Sequence, residues 1–154
     1  MMLPTGLPAL RAVLTGLAGL CVLVPAFAQD SVFEAPTRPN AVSVALVQQD
    51  SSDCTNSTVK DDPNRTRGGN IWITRNNDGT ATVDVGVTVT PNTTYHFYLK
   101  CVRLLGDIKT DDEGVGLASF RIKTSEVRPK FAFAMLPEGG DSGNKFQSLT
   151  ARLP

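Results

Sequence analysis

The chain has 154 residues, with 15 Lys+Arg against 15 Asp+Glu, one His, three Cys, ten Pro and thirteen Gly. One domain is the expectation for that length. A neutral chain without a Lys/Arg cluster excludes nucleic acid or an anionic membrane as the main partner, because both need a positive field. One His removes most zinc and copper sites, and 41% apolar residues suffice for a packed core.

The first 28 residues read as a secretory signal peptide. Arg11 is the only charge before Asp30, residues 12–24 (AVLTGLAGLCVLV) are almost wholly apolar, Pro25 breaks the run, and Ala26-Phe27-Ala28 puts small residues at −3 and −1. Cleavage is predicted after Ala28. The run is too short for the roughly 20 residues that span a bilayer, so no permanent membrane span is implied. Cys21 lies inside the run, preceded by Leu20, so it reads as apolar filler rather than a lipidation site. Removal of 28 of the 154 residues leaves 126, with 14 basic and 15 acidic side chains and two cysteines, Cys54 and Cys101. An even pair in an exported chain reads as one disulfide. It closes a loop of 48 residues, from 54 to 101 inclusive, which the chain-entropy model values at about 4 kcal/mol.

Residues 29–41 form a flexible lead-in, and 42–154 a single β domain. Val42 to Gln48 suits a first strand. Gln49 to Gly69 is a long polar loop holding Cys54, of a length that is uncommon unless functional or tied down. Asn70 to Arg75 and Thr80 to Val89 flank Asn76-Asn77-Asp78-Gly79, a hairpin signal in which Gly supplies the positive φ. Ala81, Val83, Val85, Val87 and Val89 share one face, predicted as core; Thr80, Thr82, Asp84, Gly86 and Thr88 share a face predicted as wet. Thr94 to Leu104 reads as one strand with Tyr95, Phe97, Leu99 and Cys101 inward, and His96, Tyr98 and Lys100 outward. Gly106 to Thr110 and Gly116 to Thr124 flank an acidic turn as a second hairpin. Lys130 to Leu136 and Phe146 to Leu153 are further strands, separated by Gly-rich Pro137 to Asn144. The fold class is all-β: an antiparallel β-sandwich of about seven to eight strands, favoured over a closed barrel.

Pro91-Asn92-Thr93-Thr94-Tyr95, with Phe97 and Leu99 beyond it, resembles the Pro-x-Thr-x-Tyr corner of fibronectin type III and related immunoglobulin-like sandwiches. The resemblance covers about a dozen residues. It implies a Tyr95 hydroxyl bonded back to the turn, and it likens Trp72 to the family's core Trp. Trp72 lies close to Tyr95 for that fold, and several strands follow Leu104 where the family has little more than one. A sandwich hosts many functions, so no activity follows from it.

Candidate sites are few. Gly140-Asp141-Ser142-Gly143 resembles the nucleophile segment of chymotrypsin-like serine proteases, but His96 is the sole His and 126 residues leave no room for two barrels, so the segment reads as a Gly-rich turn. Asp107, Asp111, Asp112 and Glu113 offer oxygen ligands for Ca²⁺ at a turn, yet the consecutive acids do not match EF-hand spacing, and a solvated acidic turn is the preferred reading. Asn56, Asn64 and Asn92 begin Asn-x-Ser/Thr and are either glycan acceptors or plain polar loop. His96, Tyr98 and Lys100 form an outward polar-aromatic row, read as a recognition surface with the Gln49 to Gly69 loop or as cross-strand pairing.

The sequence thus points to a small non-catalytic exported module in the periplasm or outside the cell. No cofactor or metal is implied, the partner is a protein or glycan, and the chain is expected to be a monomer. The two alternatives are a carboxylate-dependent hydrolase or lyase, with Asp61, Asp62, His96, Asp107 and Asp111 gathered in one pocket, and a strand-exchanging subunit of a surface assembly.

Overall fold

The computed structural model describes residues 38–140 and 142–154. The predicted signal peptide, Cys21 and residues 29–37 of the lead-in lie outside the described residues, as does Asp141. Eight antiparallel strands follow in chain order: β1 (Val42–Gln48), β2 (Arg67–Arg75), β3 (Thr80–Thr88), β4 (Thr94–Leu99), β5 (Arg103–Lys109), β6 (Val115–Lys123), β7 (Phe133–Pro137) and β8 (Phe146–Ser148). They join in one sheet, in the order β5-β4-β7-β8-β1-β2-β3-β6.

The alternating valines of β3 explain its central place. Ala81, Val83, Val85 and Val87 are all buried, and the predicted turn forms with Asn76 N–H donating to Thr80 O at 2.9 Å. The expected wet face of β3 is not wholly wet. Asp84 is buried there, accepts from Ser119 Oγ at 2.7 Å, and pairs with Arg38 at 3.1 Å. Trp72 is on that outer face too, half-buried and in register between Ser43 and Asp84, because Ile71 and Ile73 take the inward positions of β2. It is not a core Trp.

Two further expectations change. The predicted strand Thr94 to Leu104 is a hairpin: β4 ends at Leu99, and Val102 N–H donates to Leu99 O at 3.0 Å. Cys101 takes a positive φ of 58° in that turn, so it is exposed and not on the core face. The predicted second hairpin does not pair either. β5 and β6 are joined by the acidic turn but stand at the two edges of the sheet, with β5 bonded to β4 and β6 to β3. The sheet curls until those edges face each other, nearly a barrel. Gly106 permits this approach, since a Cβ there would lie 2.8 Å from the Phe120 ring.

An aromatic stack fills the interior across the seam. Phe97 of β4 lies between Phe120 of β6 and Phe133 of β7, with ring centroids 5.3 Å apart on each side. Such pairs add about 0.5–1.5 kcal/mol beyond the area they bury, and this one ties β6 to strands with which it has no ladder. Tyr95 is fully buried against Phe146, but its hydroxyl has no hydrogen-bond partner, so the corner bond implied by the resemblance is not made. Among the described residues, no helix is long and apolar enough to cross a membrane.

Candidate functional site

The polar loop between β1 and β2 is an ordered structure built on one residue pattern. Asp53 accepts from the N–H groups of Thr55 (2.8 Å) and Ser57 (3.1 Å) and from both their hydroxyls. Those donors, Ser57 foremost, hold its carboxyl well below the usual carboxylate range. The tight turn that results delivers Asn56, at a positive φ of 53°, into the protein. Asn56 is wholly buried, and its amide donates to Ser148 O (2.8 Å) and Phe133 O (3.1 Å). Val59 follows it down and packs on Ala45 and Val47 of β1. An Asn-linked glycan is incompatible with this placement of Asn56; Asn64 and Asn92 are exposed.

The predicted disulfide closes the arrangement. Cys54 and Cys101 are bonded, with Cα atoms 5.5 Å apart and a sequence separation of 47. It joins the loop to the β4–β5 turn, beside Lys100. The Lys100 ammonium donates to Asn56 Oδ1 at 2.6 Å and to Gln147 Oε1 at 2.7 Å. Partial burial pushes its pKa below the usual lysine range, and Asp53 opposes that shift. An ammonium has three protons, so one donor direction stays available beyond these two bonds.

Two clefts flank this point. A groove of about 320 Å³ runs between the loop residues Asp50, Ser51 and Ser52 and the outer face carrying Tyr98, Lys100 and Gln147. A smaller cleft of about 150 Å³ lies beyond the disulfide, walled by Val102, Arg128, Lys130 and Phe131. Lys100 and Cys101 line both, so the clefts adjoin on either side of these two residues.

Of the expected recognition row, the structure brings Tyr98 and Lys100 together with the loop. His96 stands apart from the groove lining: its Nδ1 lies 2.7 Å from Asp107 Oδ1, directly across the β4–β5 register. The proposed acid–base residues divide among separate partners. Asp61 is paired with Arg67, Asp62 caps Asn64 N–H at 2.9 Å, and Asp111 accepts from Glu113 N–H (3.0 Å) and Val115 N–H (2.8 Å). Asp111 is therefore a turn former. Among the described residues no three His, Cys, Asp or Glu side chains gather as a metal site would require. Ser142 lies in a short 3₁₀ turn.

No known protein family, curated protein or solved structure matches the chain. The site therefore has to be read from its own chemistry.

Sequence reasoning missed Gln147, and it missed the buried role of Asn56, which it read only as a glycan acceptor or polar loop residue. Asn56 carries a faint signal, since Asp-x-x-Asn in a Ser/Thr-rich loop favours a tight turn with a left-handed residue. Gln147 carries none, because its role depends on β8 pairing with β1 and β7.

Proposed function

We propose that the protein is a small exported binding module without catalysis, and that its recognition surface is the groove between the Cys54 loop and the outer face of β4. The observation that carries this reading is the pre-organised wall. A disulfide, the buried Asn56 and the Lys100 bonds fix the groove before any ligand arrives, which lowers the ordering cost of binding. The disulfide and the apolar run at 12–24, ending in Ala26-Phe27-Ala28, support export to an oxidising compartment. The exported protein then begins at Gln29, which intact mass of material recovered outside the cytoplasm tests.

The acid–base alternative has less support, because of its five residues only His96 and Asp107 are recorded in contact. Strand exchange draws on one observation, the unladdered β5 and β6 edges. Size-exclusion chromatography at high concentration decides it: a clean monomer removes that reading. The immunoglobulin-like corner at 91–95 is a proposal about kinship, and a crystal structure in which the curled sheet divided into two layers would support it.

The direct test is chemical-shift mapping with a panel of oligosaccharides and peptides. The expected result is a ligand that perturbs Ser51, Ser52, Tyr98 and Gln147 together. A ligand that perturbs only the far turn at 110–115 overturns the assignment.

A further inference from the structure

The two adjoining clefts differ from the rest of this neutral chain in charge. Lys100 lies at their junction, Arg128 and Lys130 line the smaller cleft, and Lys145 lines the groove. Two acids line the clefts with these four cations, Asp50 and Glu126, and Asp53 lies close enough to Lys100 to act on its charge. Glu126 is already matched, because Arg103 approaches it with Nε at 3.2 Å and Nη2 at 3.1 Å, and Lys123 N–H donates to it at 3.0 Å. These cations come from separate segments, from the β4–β5 turn, the β6–β7 connection and the residue that precedes β8. The fold gathers them where the sequence has no basic run.

The groove adds features that suit sugar rings. Tyr98 gives an aromatic face of the kind on which sugar rings stack, while Ser51, Ser52 and Gln147 supply hydroxyl and amide groups beside it. Phe131 and Val127 form an apolar floor in the smaller cleft. A ligand that fits both must be extended, must cross the Lys100–Cys101 ridge and must carry anionic groups at intervals.

We propose that the ligand is a linear acidic oligosaccharide bearing carboxylates, lying across both clefts with a ring against Tyr98 and carboxylates against Lys100, Arg128 and Lys130. This rests on the reading of the groove as a binding surface. An acidic peptide shares the charge but makes less use of the Tyr98 face and the hydroxyl-rich rim.

The test is calorimetric titration of the purified, oxidised protein with three probes: a hexamer of galacturonate, its neutral galactose counterpart, and hexaglutamate. The galacturonate hexamer is expected to bind best. Removing two exposed ionic contacts in the Arg128→Ala/Lys130→Ala variant should weaken it about tenfold, at no more than about fivefold for each exposed pair. Raising salt from 50 to 300 mM should weaken it similarly, to about a tenth, through screening. Tyr98→Ala should weaken the galacturonate and galactose hexamers alike. Arg128 and Lys130 are exposed, so their replacement leaves the fold intact, and unchanged melting of the variant confirms this. Equal binding of the neutral hexamer, sensitive to Tyr98→Ala, overturns the acidic class and leaves the groove reading standing. Tighter binding of hexaglutamate assigns the track to acidic peptides instead. Failure of all three probes, with no shift at Tyr98 or Gln147, overturns both.

Discussion

The two ends of β5 hold their loops by different means. At the Arg103 end, the 49–66 loop is fixed by contacts distant in sequence: a disulfide spanning 47 positions, the Asn56 amide on Phe133 and Ser148, and Val59 on β1. At the Lys109 end, the acidic turn is fixed by its own hydrogen bonds and by bonds to the β3–β4 connection. Asp111 accepts from two N–H groups within four residues, and Gly114 fits at φ 84° where a Cβ would lie 2.1 Å from Val89 O. Longer-range bonds tie the turn to the β3–β4 connection as well: buried Thr110 donates to Thr90 O at 2.7 Å and accepts from Thr93 N–H at 2.9 Å, Asn92 N–H donates to Asp111 O at 2.8 Å, and Val89 N–H donates to Gly114 O at 2.9 Å. Both ends are acidic and turn-rich in sequence. Only the end with the disulfide and the buried Asn56 also carries the two adjoining clefts and their cations.

The comparison is broken most strongly at the disulfide. Replacing Cys54 and Cys101 together by Ser should cost about 4 kcal/mol in the chain-entropy model, read from urea unfolding, while leaving the 110–115 turn unchanged in amide exchange. Asn56→Ala comes next. It leaves two buried carbonyls and the Lys100 ammonium short of a partner and puts Ala at positive φ, a combined cost of about 2–3 kcal/mol. Asn64→Ala, in the same loop but exposed, serves as the control and should move stability by less than about 0.5 kcal/mol. A smaller effect is expected at the other end, where Thr110→Val strands the Thr93 N–H at about 1–2 kcal/mol.

Acid should act more gently, on the loop end and on the 76–79 turn. Asp53, Asp61, Asp78 and Glu126 are held below their ordinary values, chiefly by hydrogen bonds from Ser57, Arg67, Thr80 and Arg103 respectively. Depressed carboxylates contribute stability that is fully present above the unfolded value, near 3.8 for Asp and 4.5 for Glu, and is lost as pH falls through the folded value. Melting temperature should therefore hold steady at neutral pH and fall only below about pH 4. A midpoint well above pH 5 contradicts the assignment.

How much of this was legible in the sequence depends on range. The β3 face, its turn at 76–79 and the β1 bounds follow from period-two alternation and Gly79, all local signals. The disulfide follows from counting cysteines in a chain whose first 28 residues read as a signal peptide. The hairpin break after Leu99 was hidden because Lys100, Cys101 and Val102 continue the alternation of β4, and nothing local marks a left-handed cysteine. The separation of β5 from β6 was hidden as well, since a turn sequence implies pairing of its flanks unless sheet curvature places them at opposite edges. Tyr98 and Lys100 were nominated by facing outward, yet His96 faces outward too and is engaged by Asp107. The four cations of the clefts could not be seen as a group, because Lys100, Arg128, Lys130 and Lys145 meet only through the order of strands.

The disulfide and Asn56 hold the loop end as a pre-formed wall on a curled sheet that stands without them. Amide hydrogen exchange of the oxidised and reduced protein, compared peptide by peptide, tests this most directly. The account predicts that reduction raises exchange in residues 49–66 and 100–102 while β3, β4 and the 110–115 turn keep their protection. Unchanged exchange in the loop, or loss of protection throughout the sheet at once, contradicts it.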